Sequence, residues 1–443
     1  MAERTIVLKG GRVIDPSQGI DQVVDLLLVD GAVAELGTDI QAGGDAEVRD
    51  VSGLVVAPGL IDLHVHLRQP GGEHKETITS GAWSAVVGGF TAVCAMPNTE
   101  PPIDDPAAVG YVAAQGRRAG AARVYPVGAV SVGQKGERLA LVGEMVDAGA
   151  VAISDDGRPV SDSGLMRLAL QYTDTFGIPV ASHCEDLSLS RNGSMHEGIV
   201  ATRLGITGIP SAAEEAMLAR DLLLAQLTGG RLHVQHVSTR YGAELIRNAK
   251  ARGVQVTAEA TPHHFTLTHE AVIGYRTDAK VNPPLRPADD MEAIREGLRD
   301  GTLDCIATDH APHHYDEKEQ AFEDAPFGLV GLETALGLGI TELVEKGVLG
   351  LSELVERMST APARAFNLPG GSLRVGAPAD VTAFDPAEQW TVDPERFVSK
   401  SRNTPFTGRQ LKGRARLTVV GGRVVWDADQ GLDHARQQAR KNA

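Results

Sequence analysis

The chain has 443 residues, with 42 basic and 58 acidic side chains, so its formal net charge at pH 7 is −16. This length favours one large domain with a smaller one over a single small core. The acidic balance, which no basic stretch offsets, argues against nucleic acid and anionic membrane surfaces as partners. An anionic substrate would need positive charge placed locally, such as metal ions and a few arginines.

The three cysteines, Cys94, Cys184 and Cys305, lie far apart inside apolar runs. This usage predicts buried free thiols in a reducing compartment, not a disulfide framework. The first residues do not show a basic segment followed by an apolar core, and no apolar run approaches the length of a membrane span. We therefore expect a cytoplasmic protein.

The two ends of the chain both look all-β. Residues 4–57 contain apolar runs on either side of Asp30-Gly31, and Asp-Gly between such runs is a strong hairpin signal. Residues 379–384 and 416–426 have the same strand-like character. Neither end alone offers a convincing core, so we expect residues 1–57 and 368–443 to pair into one small β-sandwich domain. The domain between them would span residues 58–367.

The middle of the chain alternates short apolar runs with helical segments, which is typical of βα units around a parallel sheet. The strand candidates are 60–68, 91–98, 123–130, 150–156, 178–185, 231–238, 254–261 and 303–310. The helix candidates are 75–88, 106–119, 135–148, 161–176, 211–228, 240–252, 289–300 and 331–346, and Ser211 with Glu214 fits a capping box. Eight successive units predict an α/β fold, a TIM-type (β/α)8 barrel. The alternative, a doubly wound open sheet, would usually show fewer units and a Gly-rich first turn.

Polar side chains gather where the predicted strands end, which is where a barrel builds its active site. His64 and His66 lie two residues apart and therefore share one face of the first strand. Arg68 extends this row towards a substrate anion. The residues that end the later strands are Asp155 and Asp156, His183, His236, and Asp309. Together these groups predict a metal site.

One choice in this set stays open, because two aspartates end the fourth strand. Alternation places Asp156 on the same face as Ala152 and Ser154, a small-residue face like the one that carries Asp309. We favour Asp156 as the ligand and keep Asp155 as the alternative, since alternation can fail at strand ends.

Imidazole and carboxylate ligands without cysteine suit Zn²⁺ or a similar divalent ion. The number of ligands fits two metals that share a bridging carboxylate, or one metal with an open position. Such a site makes hydroxide available at neutral pH and is therefore hydrolytic. Asp309 is the best candidate for the general acid and base, because it could touch the metal and accept a proton from water.

Several further residues lie near this end of the predicted barrel. Pro283-Pro284 should hold the backbone extended beside Asn282, which becomes a rigid hydrogen-bonding group. Residues 313–328 form a long polar loop that could act as a lid. His233 alternates away from the site and is expected to be structural. The histidines near the end of the seventh strand, close to the site or on the surface, are His263, His264 and His269.

The motifs carry a resemblance to a known family. They are Asp62-Leu63-His64-Val65-His66-Leu67-Arg68, Met96-Pro97-Asn98-Thr99, Ser154-Asp155-Asp156-Gly157, Ala181-Ser182-His183-Cys184-Glu185, Val281-Asn282-Pro283-Pro284-Leu285-Arg286 and Thr308-Asp309-His310-Ala311-Pro312-His313. This set resembles the dihydroorotases of the longer bacterial type, in the amidohydrolase superfamily. The resemblance covers nearly the whole chain, and it is the joint pattern that is specific, since His-x-His alone indicates only the superfamily.

The resemblance implies a role for each of these residues. The metal ligands would be His64, His66, Asp156, His183, His236 and Asp309, with Asp156 as the bridge and Asp309 as the catalytic acid and base. The substrate would be held by His66, Arg68, Asn98, Asn282, His313 and backbone groups of Phe327 and Gly328. The cofactor would be one or two Zn²⁺ per subunit.

The resemblance also implies a reaction and partners. The reaction is the reversible cyclisation of N-carbamoyl-L-aspartate to L-dihydroorotate and water, in the de novo synthesis of the pyrimidine nucleotide UMP. The protein would be a homo-oligomer, a dimer, and could form a complex with aspartate carbamoyltransferase.

Two other functions compete with this one. The first is another cyclic-amide hydrolase, an allantoinase or a hydantoinase; these resemble one another in bridging their metals with a carbamylated lysine at the end of the fourth strand, where this chain has no lysine. The second is a non-catalytic homologue that serves as a scaffold for aspartate carbamoyltransferase. Such a protein would be expected to have lost ligands, and this chain retains the full set.

Overall fold

The computed structural model of the chain describes residues 4–441 except 42 and 45. Its strands, in chain order, are β1 Thr5–Asp15, β2 Ile20–Val29, β3 Ala32–Gly37, β4 Glu47–Asp50, β5 Val55–Pro58, β6 Leu60–Val65, β7 Phe90–Ala95, β8 Arg123–Pro126, β9 Val180–Ser182, β10 Met195–His196, β11 Gly208–Ile209, β12 Leu232–Val234, β13 Val256–Ala260, β14 Cys305–Ile306, β15 Val381–Thr391, β16 Gln410–Val420 and β17 Arg423–Asp427.

One sheet joins the two ends of the chain. Its strand order is β17-β16-β15-β5-β1-β2-β3, with β4 also paired to β1. The join between the ends is antiparallel, with Val56 of β5 opposite Ala383 of β15. Asp30 and Gly31 both have positive φ, at 49° and 83°, as the tight turn between β2 and β3 requires. The predicted small β-sandwich domain built from both termini is confirmed.

The parallel strands close into a barrel. Strands β6, β7 and β8 form one run, and β9, β12, β13 and β14 form another. Single bridges from Ile153 to Gly128 and to Val180 join the two runs, and a bridge between Val65 and His310 closes the ring. The predicted α/β fold with a TIM-type barrel is confirmed, although its fourth strand is reduced to the bridge at Ile153.

The barrel strands are shorter than predicted at their carboxyl ends. The backbone leaves the extended region at Arg68, His236 and Asp309, whose φ values are 60°, 30° and 49°. These residues sit where the strands turn out of the barrel, so strict alternation no longer decides where their side chains point. The interior below them is filled by small and apolar side chains, among them the buried free thiols of Cys94 and Cys305.

Helices cover the outside of the barrel and follow most of the strands. The helices are α1 Ile78–Val87, α2 Pro106–Ala119, α3 Val142–Asp147, α4 Ser163–Asp174, α5 Leu187–Ser190, α6 Ile199–Leu204, α7 Ser211–Thr228, α8 Arg240–Ala251, α9 Ala288–Asp300, α10 Tyr315–Lys318, α11 Ala335–Gly339 with a π-helical continuation at Ile340–Val344, α12 Leu351–Val355, α13 Ala361–Ala365 and α14 Leu432–Lys441. Within the part of the chain that the structure describes, no helix is long and apolar enough to cross a membrane.

Two helix predictions were wrong in detail. The candidate at 135–148 is helical only over Val142–Asp147, because the preceding loop is held by a bridge between Ser131 and Leu139. Helix α7 begins at Ser211 as predicted, but Glu214 does not close a capping box there. Its carboxylate instead accepts a hydrogen bond of 2.9 Å from the backbone N–H of Ser238, at the end of a barrel strand.

Candidate active site

Two groups of metal-binding side chains meet at one carboxylate, Asp156. The first group is His64, His66 and Asp156, and the second is Asp156, His183 and His236; within each group the candidate ligand atoms lie within 4.8 Å of one another. Asp156 Oδ1 lies 3.5 Å from His64 Nε2 and 3.4 Å from His183 Nδ1. A single buried carboxylate therefore joins two clusters of imidazoles.

Asp309 stands beside the first cluster. Its Oδ1 lies 3.0 Å from His66 Nε2 and 3.6 Å from His64 Nε2. The strand that carries Asp309 is the neighbour of the strand that carries His64 and His66, because the barrel closes through the bridge between Val65 and His310. The residues at the first and last strand ends thus meet although the sequence separates them by more than two hundred positions.

The cluster fits a divalent cation. Asp156 Oδ1 and His236 Nδ1 are buried, and no donor or acceptor in the described chain reaches them with hydrogen-bond geometry. His183 Nδ1 and His236 Nε2 face each other at 2.8 Å. Buried polar atoms normally have partners, and neutral imidazole with carboxylate is a donor set that suits zinc and similar ions.

The electrostatics of the cluster keep its carboxylates ionised. Burial alone would raise the pKa of Asp309, but the neighbouring imidazoles, led by His64, lower it below its usual range. The pKa of Asp156 is lowered in the same way, against burial, by His64, His183 and His236. Burial would lower the pKa of His183, yet the neighbouring carboxylates of Asp156 and Glu185 raise it to about 10 when no metal ion is bound. The carboxylates therefore lie in a positive field.

The structure separates the two aspartates at the end of the fourth strand. Asp156 points into the histidine cluster, whereas Asp155 turns back towards the preceding loop. Asp155 Oδ1 accepts hydrogen bonds from the backbone N–H groups of Val130 and Ser131, at 2.8 and 3.2 Å, and Oδ2 accepts from the Ser131 hydroxyl. Asp155 thus shapes the loop, and Asp156 is the aspartate that lies among the imidazoles.

A buried carboxylate behind the cluster, Glu259 of β13, was not recognised from the sequence. Its Oε1 lies 2.7 Å from His64 Nδ1, and its Oε2 lies 3.0 Å from His233 Nε2. Because the carboxylate can only accept, it would hold the Nδ1 proton of His64 and leave Nε2, which faces Asp156 and Asp309, free to bind a metal ion. The signal was available: Glu259 is the one acidic side chain in an otherwise uncharged strand.

The cluster opens into a cavity of about 190 Å³. The residues that line it are His66, Arg68, Asn98, Asp156, Gly157, His183, His236, Asn282, Asp309, Ala311, His313, Phe327 and Gly328. All the residues predicted to bind substrate are therefore in this one lining. His64 lies beneath the surface of the cavity, fully buried.

Arg68 and His313 form one side of the cavity. Arg68 donates from Nε to the carbonyl of Pro312 at 3.0 Å, and its Nη2 lies 3.2 Å from His313 Nε2. The same His313 nitrogen lies 2.8 Å from the carbonyl oxygen of Phe327. Burial, and then the charge of Arg68, lower the pKa of His313, so this imidazole stays neutral beside the guanidinium.

Asn98 and Asn282 also line the cavity, and both are linked by hydrogen bonds to histidines of the cluster. Asn98 Oδ1 lies 2.8 Å from His66 Nδ1. Asn282 donates to Glu185 Oε2 at 2.9 Å, and the same oxygen lies 3.1 Å from His183 Nε2. The side chains predicted for the substrate thus share a hydrogen-bond network with those predicted for the metal.

The remaining histidines near the seventh strand differ in their surroundings. His264 is buried and lies 2.9 Å from the carbonyl of Pro283, so it supports the segment that carries Asn282. His263 is also buried, and burial lowers its pKa to about 4. His233, expected to be structural, lies between Thr257 and Glu259.

Comparison with known proteins agrees with this geometry. A family model described as dihydro-orotase-like matches residues 53–242, and one described as amidohydrolase family matches residues 202–426. A dihydroorotase of Pelotomaculum thermopropionicum is 57% identical over 420 residues, which are 95% of this chain and 98% of that protein. A dihydroorotase of Geobacter metallireducens is 54% identical, over 95% of this chain and 99% of that protein.

Solved structures share the fold. The L-hydantoinase (dihydropyrimidinase) of Arthrobacter aurescens superposes with a TM-score of 0.86 at 29% identity, over 95% of this chain and 96% of that one. A dihydropyrimidinase of Brevibacillus agri superposes with a TM-score of 0.82 at 23% identity, over 96% of this chain and 95% of that one, a likeness of fold alone. With the residue clusters above and relatives of more than half identity along nearly its whole length, the chain belongs to the dihydroorotase family of the amidohydrolase superfamily.

Proposed function

We propose that this protein is a metal-dependent dihydroorotase, which interconverts N-carbamoyl-L-aspartate and L-dihydroorotate in pyrimidine biosynthesis. The observation that carries the proposal is the placement of Asp156 between two imidazole groups, at the floor of a cavity that also contains Arg68. The floor suits hydrolysis of an amide, and the guanidinium suits a substrate that carries a carboxylate.

We further propose zinc as the metal. The residues that would hold it are His64, His66, Asp156, His183, His236 and Asp309, with Asp156 shared between two positions. When bound, a divalent ion lowers the pKa of a coordinated water towards about 7 and polarises a carbonyl. Glu259 would support the site by fixing the tautomer of His64.

Asp309 is the proposed acid and base. Its carboxylate is ionised, lines the cavity and lies 3.0 Å from His66. In ring opening it takes the proton of the attacking water and delivers it to the leaving ring nitrogen. In ring closure it takes that proton back from the carbamoyl nitrogen. Both directions need one group that holds and returns a proton at the same place.

The substrate carboxylate is assigned to Arg68. A guanidinium matches a carboxylate with two parallel hydrogen bonds, whereas the ammonium of lysine acts as a point charge. Asn98, Asn282 and His313 would hold the other polar groups of the substrate, together with His66, and Phe327-Gly328 would close over the ring.

The competing activities are disfavoured by the same residues. Asp156 lies between the imidazole groups, at the end of the fourth strand. Hydantoinases and allantoinases resemble one another in having a carbamylated lysine at that strand end. The scaffold role is disfavoured because the full ligand set is present and its members approach one another.

The test is turnover of three rings by the purified, zinc-loaded protein. Dihydroorotate should be hydrolysed with a much higher kcat/KM than hydantoin or allantoin. Its hydrolysis is monitored by the loss of its ultraviolet absorbance. A preference for either of these, or no turnover of any ring by protein that holds its metal, would refute the proposal.

For the whole molecule we propose a cytoplasmic homodimer with domain boundaries after residues 57 and 367. Support for self-association comes from apolar side chains exposed on the neighbouring helices α4 and α7, namely Leu168, Tyr172, Leu223 and Leu227. A complex with aspartate carbamoyltransferase is a further proposal. Light scattering after gel filtration, with and without the transferase, tests both; a monomer in each would refute them.

A further inference from the structure

One backbone group in the cavity wall, the peptide of Gly328, is held from three directions. Its carbonyl accepts a hydrogen bond of 3.0 Å from Lys318 Nζ and another of 3.1 Å from Asn403 Nδ2. Its N–H donates to the carbonyl of Lys280 at 2.8 Å. Buried backbone groups need partners, and those of Gly328 are all supplied by other segments of the chain.

The wall also has little space in which to move. Gly328 has φ of +127°, a conformation that favours glycine. A Cβ at this position would lie 2.6 Å from the Cβ of Ala311 and 3.2 Å from His313 Nε2. The backbone therefore packs directly against the segment that carries His313.

Asn403 connects this wall to the C-terminal part of the chain. Its side chain is almost completely buried, and each hydrogen-bonding group is used. Oδ1 accepts from the N–H of His313 at 3.1 Å, and Nδ2 donates to the carbonyls of Ala311 and Gly328, both at 3.1 Å. The Asn403 amide thus fixes two loop segments, one carrying His313 and the other carrying Gly328, relative to each other.

Lys318 supports the same loop from below. Its side chain is buried, and Nζ also donates to the carbonyl of Pro326 at 2.8 Å. Lys280 acts alongside it, donating to the carbonyls of Phe322 and Glu323 at 2.8 and 2.9 Å and lying 4.6 Å from the centre of the Phe327 ring. Within the described chain neither Lys318 nor Lys280 forms an ion pair with a carboxylate, and both donate their hydrogen bonds to loop carbonyls.

Burial of a lysine amine removes it from water, which is unfavourable even when carbonyl groups accept its hydrogen bonds. A lysine on the surface would not lose this hydration. Of the described side chains that line the cavity, none is that of Lys318, Lys280 or Asn403. Their hydrogen bonds converge on residues 322–328, the segment that ends in the lining residues Phe327 and Gly328. These buried side chains therefore support the part of the lining that would contact a substrate.

We propose that Lys318 and Asn403 are positioning residues, which together fix the Gly328 carbonyl and so hold the Phe327-Gly328 wall ready for the substrate. This inference rests on the proposed function, since it assigns the wall to the substrate of that reaction. A wall ordered before binding lowers the entropy lost when the substrate binds. The effect belongs to KM, because the wall does not contribute the predicted metal ligands or the proton carrier.

The test compares single variants with a double variant. Lys318→Met keeps the length of the side chain but removes its donors, and Asn403→Asp keeps the shape but places oxygen against the two carbonyls. Each should raise KM for dihydroorotate about tenfold, the equivalent of one lost hydrogen bond, with kcat changed less than about threefold. Because both act on one carbonyl, the double variant should raise KM by clearly less than the product of the two factors.

Lys346→Met is the matched control. This lysine is half exposed and pairs with Glu342, which lies in the π-helical segment Ile340–Val344. The variant therefore loses an ion pair without contacting the wall. It should leave KM unchanged and should combine additively with Asn403→Asp. An equal rise of KM in the control, an unchanged KM in both wall variants, or strict additivity in the double variant would overturn the inference.

Hydrogen exchange of the peptide that covers residues 319–330 gives a readout that needs no turnover. In Lys318→Met and Asn403→Asp its amides should exchange faster than in the original protein, whereas in Lys346→Met they should not. If exchange is faster in both wall variants but the original protein does not hydrolyse dihydroorotate, the proposed function is refuted and the positioning role of Lys318 and Asn403 is retained. Unchanged exchange in both wall variants would refute the positioning role alone.

Discussion

The floor and the wall of the cavity are built in different ways. The floor consists of the six candidate metal ligands, which project from the ends of barrel strands. Within each of the two groups the ligand atoms lie within 4.8 Å of one another, and Asp309 lies 3.0 Å from His66. The wall is the Phe327-Gly328 segment, which lies beside Arg68 and His313, and its backbone is held by groups as distant as Asn403. Chemistry that a fold must place accurately comes from strand ends, and recognition comes from loops that need support.

Removal of the metal should have the largest effect, and it acts only on the floor. Dialysis against a chelator should reduce turnover to background, because the floor then cannot activate water, and added Zn²⁺ should restore it. Metal content and dihydroorotate turnover are measured on the same samples. Full activity in metal-depleted protein would show that the floor has another purpose.

Asp156→Asn sharpens that experiment. Because Asp156 belongs to both groups, this variant should lose metal from both, whereas Asp155→Asn should keep its metal and most of its activity. Equal metal content in the two variants would contradict a bridging role for Asp156.

Asp309→Asn should follow in size. It removes the proposed proton carrier but keeps the shape of the side chain, so kcat should fall by roughly 10²–10⁴-fold. Melting temperature and most of the bound metal should be retained, which separates a chemical defect from a failure to fold. Near-normal kcat would refute the role of Asp309 in proton transfer.

Much of the floor could be predicted from the sequence. His64 and His66 follow from strand alternation, and the other ligands from the rule that barrel chemistry lies at the carboxyl ends of strands. Asp156 and Asp155 show the limit of this reasoning. Which of the two faces the cluster depends on the 130–131 backbone, whose N–H groups capture Asp155.

The support of the wall could not be predicted, because it depends on contacts between distant positions. Asn403 lies outside the predicted barrel, and its link to His313 crosses 90 residues. Glu214 fitted a capping box in sequence but is drawn to Ser238 in the fold. Local patterns describe strands and helices, and they carry little information about which loops a buried amide will join.

Arg68→Lys tests recognition of the substrate carboxylate. Lysine cannot reproduce the two-point contact with a carboxylate, so KM for dihydroorotate should rise about 10- to 100-fold, the cost of a charged hydrogen bond. The effect on kcat should be smaller. Arg240→Lys, at an exposed arginine outside the cavity, is the control. An unchanged KM in Arg68→Lys would remove this residue from the substrate site.

The smallest effect concerns pH and the buried lysine below the wall. Burial lowers the pKa of Lys318 to about 7, against an ordinary value of 10.5. Between these values the unfolded chain binds more protons than the folded one, so this lysine adds stability as the pH rises. Its neutral amine still has two N–H groups, enough for the carbonyls of Pro326 and Gly328.

The free energy of unfolding of the original protein, minus that of Lys318→Met, should therefore increase from pH 7 to pH 9. The ceiling is about 1.4 kcal/mol per pH unit. Denaturant unfolding at three pH values measures it, with Lys346→Met as the variant expected to show no such slope, because its lysine is half exposed. A flat difference for Lys318→Met would mean that this ammonium keeps its proton when buried. The wall would then be held by a permanent charge, and its support would not change across this range.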